Sequence, residues 1–90
     1  MFVTPEVLDE DVREAVKRLT YWIERLQAER DISKGMLIRL SGLTKQGVNY
    51  ILDGRREPGL RSIAAIARAL DVEAHQLLAP IPDEDANKQP

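Results

Sequence analysis

The chain has 90 residues, of which 43% are hydrophobic, and a net charge of −2 at pH 7. A chain of this length forms one domain and buries only about 60–65% of its unfolded surface, so an elaborate enclosed active site is not expected. The absence of cysteine excludes disulfide bonds and thiolate metal sites. No basic region followed by an apolar run marks a secretory signal, and the longest apolar run, residues 63–67, is too short to span a membrane. We therefore expect a cytoplasmic protein.

The first predicted element is a long N-terminal helix. Residues 4–6, Thr-Pro-Glu, are typical of a helix start, because Thr can cap the helix, Pro suits its first position and an acid lies near the positive end of the dipole. No Gly or further Pro follows until Gly35, which predicts one continuous helix to about Glu29. A break near Thr20, which could cap a separate second helix, is the competing interpretation.

This helix carries an apolar stripe with two possible uses. Five positions follow the 4-3-4-3 spacing of a helical zipper seam, over about two heptads: Val12, Val16, Leu19, Ile23 and Leu26. The stripe could fold back on its own domain, over the apolar side chain of Leu40. It could instead bury against the same stripe of a second subunit, which makes the first four positions candidate dimer-interface residues.

Residues 32–54 predict two short helices joined by a tight turn. Ser33 can cap the first helix and Thr44 the second, because a hydroxyl oxygen accepts hydrogen bonds from backbone N–H groups at a helix start. Gly42 can adopt the positive φ that a sharp turn needs, and Gly54 lies where a helix C-cap belongs. This is the layout of a helix-turn-helix, whose second helix enters the DNA major groove.

The second helix of this pair has an apolar edge and a polar face. Val48 and Ile51 are predicted to point inward, as is Leu37 on the first helix. Gly47 either lets this helix approach DNA closely or avoids crowding against the neighbouring helix. Four positions point outward, with side chains that can meet phosphates and base edges: Lys45, Gln46, Asn49 and Tyr50.

The rest of the chain predicts two further helices and a tail. A helix over residues 60–70 has four inward apolar positions: Ile63, Ile66, Ala67 and Leu70. Val72, Leu77 and Leu78 then close the core through a short final helix, which ends at the proline-containing residues 79–82. Residues 80–90 are expected to form a disordered acidic tail, because residues 83–90 are polar and have no apolar anchor.

This ordered series of caps, turns and apolar positions resembles the lambda-repressor-like (Cro/XRE-type) helix-turn-helix family over residues 22–78. Gly-Arg-Arg-Glu-Pro at residues 54–58 and Leu60 also meet the family pattern. The resemblance implies an all-α, five-helix domain at residues 20–79, with an extra or extended N-terminal helix at residues 1–19.

Three positions depart from the family pattern. Ile38 stands where Ala is usual, at the close approach of the two motif helices, and Leu40 stands where a solvated polar residue is common. Asp71 replaces the frequent Gly after the fourth helix, and Asp tolerates the left-handed conformation better than most residues. None of the three breaks the fold, but the first two could alter how the motif docks.

Charge is distributed unevenly along the chain. Residues 33–62, which contain the motif, carry six basic and two acidic side chains. Residues 1–32 carry five basic and eight acidic side chains, and residues 63–90 carry two basic and five acidic ones. The positive charge is therefore concentrated at the motif, and the local field governs the encounter with a polyanion.

The resemblance implies that the second motif helix reads bases while its surroundings hold the DNA backbone. Gln and Asn can bond N6 and N7 of adenine together, and Lys can donate to guanine. Base readout is expected from four residues: Lys45, Gln46, Asn49 and Tyr50. Phosphate contacts are expected from five residues: Lys34, Thr44, Arg55, Arg56 and Arg61.

These expectations lead to a sequence-specific regulator of transcription that binds double-stranded DNA in the cytoplasm, at the nucleoid. We expect a homodimeric repressor without metal, cofactor or small-molecule ligand. The alternative is an antitoxin or phage-type regulator, or a protein-interaction module that keeps the fold without reading DNA. An enzyme is not expected, because the single histidine, His75, has no catalytic partners nearby in sequence and no phosphate-binding Gly loop is present.

Overall fold

The computed structural model describes residues 5–54 and 57–86, with side chains from Glu10 to Asp85 within these ranges. The described elements, in chain order, are α1 (Pro5–Arg30), α2 (Lys34–Ser41), α3 (Lys45–Asp53), α4 (Leu60–Ala69), a 3₁₀ helix (Ala74–Leu78) and α5 (Asp83–Ala86). The described part contains helices and no strand, which confirms the predicted all-α class. None of its helices combines the length and apolar character needed to cross a membrane.

Helix α1 runs without a break through Thr20, as the continuous-helix interpretation predicted. The Thr20 hydroxyl donates to the carbonyl oxygens of Val16 and Lys17, at 3.2 and 3.1 Å. The hydroxyl therefore bonds backward along its own helix and caps no new one. Helix α1 spans 26 residues, about 39 Å at the helical rise of 1.5 Å per residue.

The core lies between the C-terminal half of α1 and the helices that follow. Its fully enclosed side chains come from α1, α2, α3, the end of α4 and the 3₁₀ helix: Leu19, Ile23, Leu37, Val48, Ile66, Leu70 and Leu77. Val72 and Leu78 pack against this cluster from its edge. The inward positions predicted for the motif, for α4 and for the short final helix are thereby confirmed.

Three of the four candidate dimer-interface residues belong to this core. Ile23 is 0% exposed, Leu19 is 1% and Val16 is 7%. Ile23 has no exposed surface to offer a second subunit, and Leu19 and Val16 have little, so the core of the domain itself accounts for the burial of these three positions. Helical spacing predicted that they would be buried, but it does not specify the surface that buries them. Val12 remains half-buried, on the part of α1 that extends past the core.

Two aspartates follow helices in the left-handed conformation. Asp71, after α4, has a φ of 59°, as its place in the sequence predicted. Asp31, after α1, has a φ of 54° and was not predicted. In both cases the N–H of the next residue donates to the carbonyl oxygen five positions earlier, at 2.9 Å. This bond is the one that closes a Schellman motif and ends a helix.

The segment after the 3₁₀ helix differs from the predicted disordered tail. The Trp22 indole N–H donates to the carbonyl oxygen of Ala79 at 2.9 Å, and the Tyr21 hydroxyl donates to Asp85 Oδ2 at 2.5 Å. Arg25 also pairs with Asp85, at 3.0 Å. These contacts hold the helical turn Asp83–Ala86 against α1, so the expectation of disorder is wrong for residues 80–86. The last four residues of the predicted tail lie outside the described ranges.

Replacement of Ile23 with alanine tests its place in the core. We expect Ile23→Ala to lower the free energy of unfolding by about 2–5 kcal/mol, because it leaves a cavity at a fully enclosed site. Chemical denaturation followed by circular dichroism measures the loss at several protein concentrations. The loss should be the same at each concentration, and Val12→Ala, at a half-buried position, should lose less. A loss of stability that depends on protein concentration would instead indicate that Ile23 lies at a subunit interface.

Replacement of Asp85 tests the attachment of the C-terminal turn. The pKa of the Tyr21 phenol lies above its ordinary value, first because partial burial disfavours the phenolate and then because Asp85 accepts the phenolic hydrogen bond. Asp85→Asn should therefore lower this pKa, as measured by ultraviolet absorbance titration with Tyr21→Phe as the assignment control. In the native chain, the contribution of Tyr21 to the free energy of unfolding is complete below the unfolded-state pKa of about 10. It is lost as the pH rises through the higher folded-state pKa.

Candidate nucleic-acid interface

Helices α2 and α3 form the predicted pair, and each begins at a side-chain cap. The Ser33 hydroxyl accepts from the Met36 N–H at 3.1 Å, and the Thr44 hydroxyl accepts from the Gly47 N–H at 2.9 Å. Gly42 lies between the two helices with a φ of 74°, and its N–H bonds back into α2. Because every one of these features is local in sequence, the motif was predictable residue by residue.

Helix α3 is fixed by its apolar edge. Val48 and Ile51 are 0% and 2% exposed, and Gly54 caps the C-terminus of the helix with a φ of 72°. A Cβ built on Gly54 would lie 3.4 Å from the Thr20 methyl group, so this cap lies directly beside α1. The opposite face of α3 is exposed and carries the four predicted readout residues: Lys45, Gln46, Asn49 and Tyr50.

Two predicted site residues contact each other. The Lys34 ammonium, at the start of α2, donates to Asn49 Oδ1 at 2.9 Å. An ammonium group has no acceptor, so the amide oxygen of Asn49 must be the atom that faces Lys34. The NH₂ group of Asn49 consequently points away from Lys34. The two residues are 15 positions apart, on different helices, and no local sequence signal could have shown this contact.

Glycine at position 47 is explained by the cap of α3. A Cβ built on Gly47 would lie 3.2 Å from the Thr44 hydroxyl oxygen and 3.9 Å from Leu43 Cβ. The first distance is tighter than most Cβ contacts, so a side chain at position 47 would require the capping hydroxyl to shift by a few tenths of an ångström. No atom of α2 lies within 4 Å of this Cβ. Crowding here therefore comes from the cap and not from the neighbouring helix.

The predicted phosphate-contacting residues surround α3 at several points. Lys34 is exposed at the start of α2, Thr44 is exposed at the cap of α3, and Arg61 is exposed in the first turn of α4. Arg55 and Arg56 lie outside the described residues. All three described side chains in this set lie at helix N-termini, where backbone N–H groups also favour an anion.

Two of the three departures from the family pattern involve apolar side chains of α2. Ile38 is half-buried and packs against the core cluster. Leu40 is 50% exposed, and Met36, one turn earlier on the same helix, is 41% exposed. Leu40 is therefore an exposed apolar side chain at a position where the family commonly has a solvated polar residue. The alternative that the N-terminal helix covers Leu40 receives no support from this exposure.

The two capped helices, the turn between them and the exposed polar face of α3 define a helix-turn-helix DNA-binding domain. The profile of the Cro/C1-type helix-turn-helix DNA-binding domain matches residues 23–83, and the chain belongs to this family. It is a DNA-binding regulator of the Cro/C1 type, as the predicted resemblance implied.

A solved structure is also similar to the chain. The crystal structure of a hypothetical transcription factor, NHTF, from Neisseria shares 32% sequence identity with it, covers 88% of this chain and 83% of its own, and has a TM-score of 0.65. No curated protein matches the chain significantly.

The described residues offer no obvious catalytic or metal-binding arrangement. No group of three or more His, Asp or Glu side chains among them could hold a metal ion. His75 is exposed in the 3₁₀ helix and makes no hydrogen bond to another described side chain. Membership of a DNA-binding family agrees with the expectation of a regulator and not an enzyme.

The cap of α3 can be tested without touching the readout face. We expect Thr44→Ala to lower the free energy of unfolding by about 1 kcal/mol, because the Gly47 N–H loses its acceptor. Thr44→Ser keeps the hydroxyl and should restore most of that stability in the same denaturation experiment. Equal losses of unfolding free energy in Thr44→Ala and Thr44→Ser would show that the capping hydrogen bond does not account for the stability that Thr44 contributes.

Proposed function

We propose that the chain is a sequence-specific repressor of transcription, which binds double-stranded DNA as a homodimer and places α3 in the major groove. The observation that carries this proposal is the contrast between the two faces of α3. Val48 and Ile51 are enclosed, so the helix is held rigidly, while its polar face is open to solvent. The domain therefore does not need to change its conformation to place this face against DNA.

The side chains on α3 differ in what they can read. Lys45 is a donor and fits the O6 and N7 acceptors of guanine, whereas Gln46 can both donate and accept and fits adenine. Asn49 has its amide oxygen engaged by Lys34 and presents its NH₂ group. We therefore assign Asn49 to an acceptor that its NH₂ group can reach, such as N7 of a purine, O4 of thymine or a phosphate oxygen. Tyr50 fits a thymine methyl group or a phosphate.

Phosphate contacts are assigned to groups beside α3. Lys34 has three N–H donors and uses one of them on Asn49, so two remain for a phosphate oxygen. In this arrangement Lys34 links the DNA backbone to a base-reading side chain. Thr44 can donate its hydroxyl hydrogen while its oxygen caps α3. Arg61, exposed in the first turn of α4, is assigned to a further phosphate, and Arg55 and Arg56, which follow α3 in the sequence, complete the set.

The small number of base pairs that one module reads favours a dimer, and a dimer bound at a promoter can act as a repressor. One helix-turn-helix reads only about four or five base pairs, and two copies related by a two-fold axis read half-sites about 34 Å apart. Occupancy of such a site is sufficient to exclude a polymerase from a promoter, so repression needs no further surface. A chain with this role works at the nucleoid.

Selection of bound sequences from a random duplex pool tests the readout. The native chain should enrich a palindrome, and Gln46→Ala should relax an adenine position by about 1–3 kcal/mol of discrimination. Asn49→Ala should relax a different position of the palindrome from the one that Gln46→Ala relaxes. Arg68→Ala, which removes a charge at the opposite end of α4, is the matched control and should leave the palindrome intact. Failure of the native chain to enrich any sequence would refute the proposed function.

The salt dependence of the same binding reports the phosphate contacts. With four to five phosphates neutralised per subunit, log K for the dimer should fall with log salt with a slope of about −7 to −9. Arg61→Ala should make this slope less steep, whereas Arg68→Ala should not. Binding that does not respond to salt would contradict the assigned phosphate contacts.

A further inference from the structure

The contact between Lys34 and Asn49 joins the two helices of the motif at a fixed place. Leu37, one turn after Lys34 on α2, is 0% exposed, and Val48, the neighbour of Asn49 on α3, is also 0% exposed. The core therefore fixes the backbone at both ends of the contact. The Lys34 ammonium and Asn49 Oδ1 lie 2.9 Å apart, although both residues are exposed. A bond between two anchored helices constrains the Asn49 amide more than a bond to a loop would.

This bond favours one of the two directions that the Asn49 amide can take. The last torsion of an Asn side chain has two broad settings, which exchange the positions of the oxygen and the NH₂ group. The Lys34 ammonium can only donate, so it stabilises the setting in which the oxygen faces α2. The opposite setting would place two donor groups against each other. In the native chain, Asn49 therefore turns its NH₂ group away from Lys34.

Gln46, the other amide on the exposed face of α3, has no such restraint. Among the described residues, no side chain hydrogen-bonds the Gln46 amide. Gln46 can therefore turn either its oxygen or its NH₂ group toward a base. The two amides have the same chemistry and differ in their freedom to reverse, and that difference comes from Lys34 on the neighbouring helix.

We propose that Lys34 is a positioning residue, which determines the base preference of Asn49 without touching a base itself. This inference rests on the proposed function, in which α3 lies in the major groove, and it assigns Asn49 to a base edge. An NH₂ group directed at a base edge needs an acceptor. In the major groove guanine, adenine and thymine each present one, whereas cytosine presents its N4 amino group, which is a donor. Asn49 therefore selects against cytosine at the position that it reads.

Lys34 can hold Asn49 and a phosphate at the same time. No described carboxylate pairs with Lys34, so its charge is available to the DNA backbone. The ammonium group has three N–H donors, enough for the Asn49 oxygen and a phosphate oxygen together. Exclusion of water from the interface strengthens the bond to Asn49, because the local dielectric falls. Binding to DNA therefore holds the Asn49 amide in its direction and does not release it.

Selection of bound sequences with variants of Lys34 tests this inference. Lys34→Met removes the donor and keeps most of the side-chain length, so the Asn49 amide can reverse and accept from N4 of cytosine. Cytosine should rise about fivefold or more at the position that Asn49→Ala relaxes, the lower end of what one base contact discriminates. The position that Gln46 reads should not change. Lys34→Arg keeps a donor and a charge and should retain the native preference.

Arg61→Met is the matched control, because it also replaces a cation assigned to a phosphate with methionine. Both methionine variants should weaken binding and make the salt slope less steep, since each removes one phosphate contact per subunit. Lys34→Met should change a base preference as well, whereas Arg61→Met should not. In an Asn49→Ala chain, Lys34→Met should weaken binding without changing any preference, because the residue through which Lys34 acts is absent.

Nuclear magnetic resonance of the free chain tests the contact itself. The signals of the Asn49 side-chain NH₂ group should shift in Lys34→Met and stay in place in Arg61→Met. Circular dichroism should show both variants folded, because both replaced residues are exposed. Asn49 signals that do not respond to Lys34→Met would overturn the inference, whether or not the chain binds DNA.

The outcomes of the selection separate this inference from the proposed function. A native chain that enriches no sequence would refute the proposed function. An enriched palindrome with the same base preferences in the native and Lys34→Met chains would overturn the inference alone. The inference would also fail, with the proposed function intact, if Asn49→Ala relaxed no position, since Asn49 would then contact no base.

Discussion

The surface that we propose reads DNA depends on the burial of one narrow edge of a short helix. Helix α3 has nine residues and would not be stable alone in water. Val48 and Ile51 hold it in the core, and Thr44 and Gly54 fix where it starts and ends. Since these residues occupy the inner edge and the two ends, the remaining positions are free to be polar. The surface proposed to meet DNA therefore consists of the α3 positions that are not needed for packing or capping.

The charged side chains are also distributed unevenly between the helix-turn-helix motif and the rest of the chain. The chain as a whole is acidic, with a net charge of −2, yet residues 33–62 have an excess of basic side chains. Part of that charge also has a structural partner, since the Lys34 ammonium engages the Asn49 amide oxygen. A contact of this kind orients a neutral side chain by means of a charged one. It links a residue that can hold the backbone to a residue that can read a base, so their contributions to binding are not independent.

Features determined within a few residues were predictable, and those that join distant segments were not. Caps at Ser33 and Thr44 and the left-handed Asp71 were predicted, because each depends on the chemistry of a single side chain next to a helix end. The bond between Tyr21 and Asp85 spans 64 residues and was missed. The stripe of α1 was an intermediate case: its burial was predicted, but periodicity does not distinguish the core of one subunit from the contact between two.

The unbroken course of α1 also has a mechanical consequence. Its C-terminal half is embedded in the core, Val12 and Ala15 nearer its N-terminus are only half-buried, and Thr20 introduces no break between the two parts. A stiff rod with one end anchored transmits an applied displacement to the body that holds it. A force applied to the N-terminal half of α1 would therefore rotate the whole domain, including α3, as one rigid body.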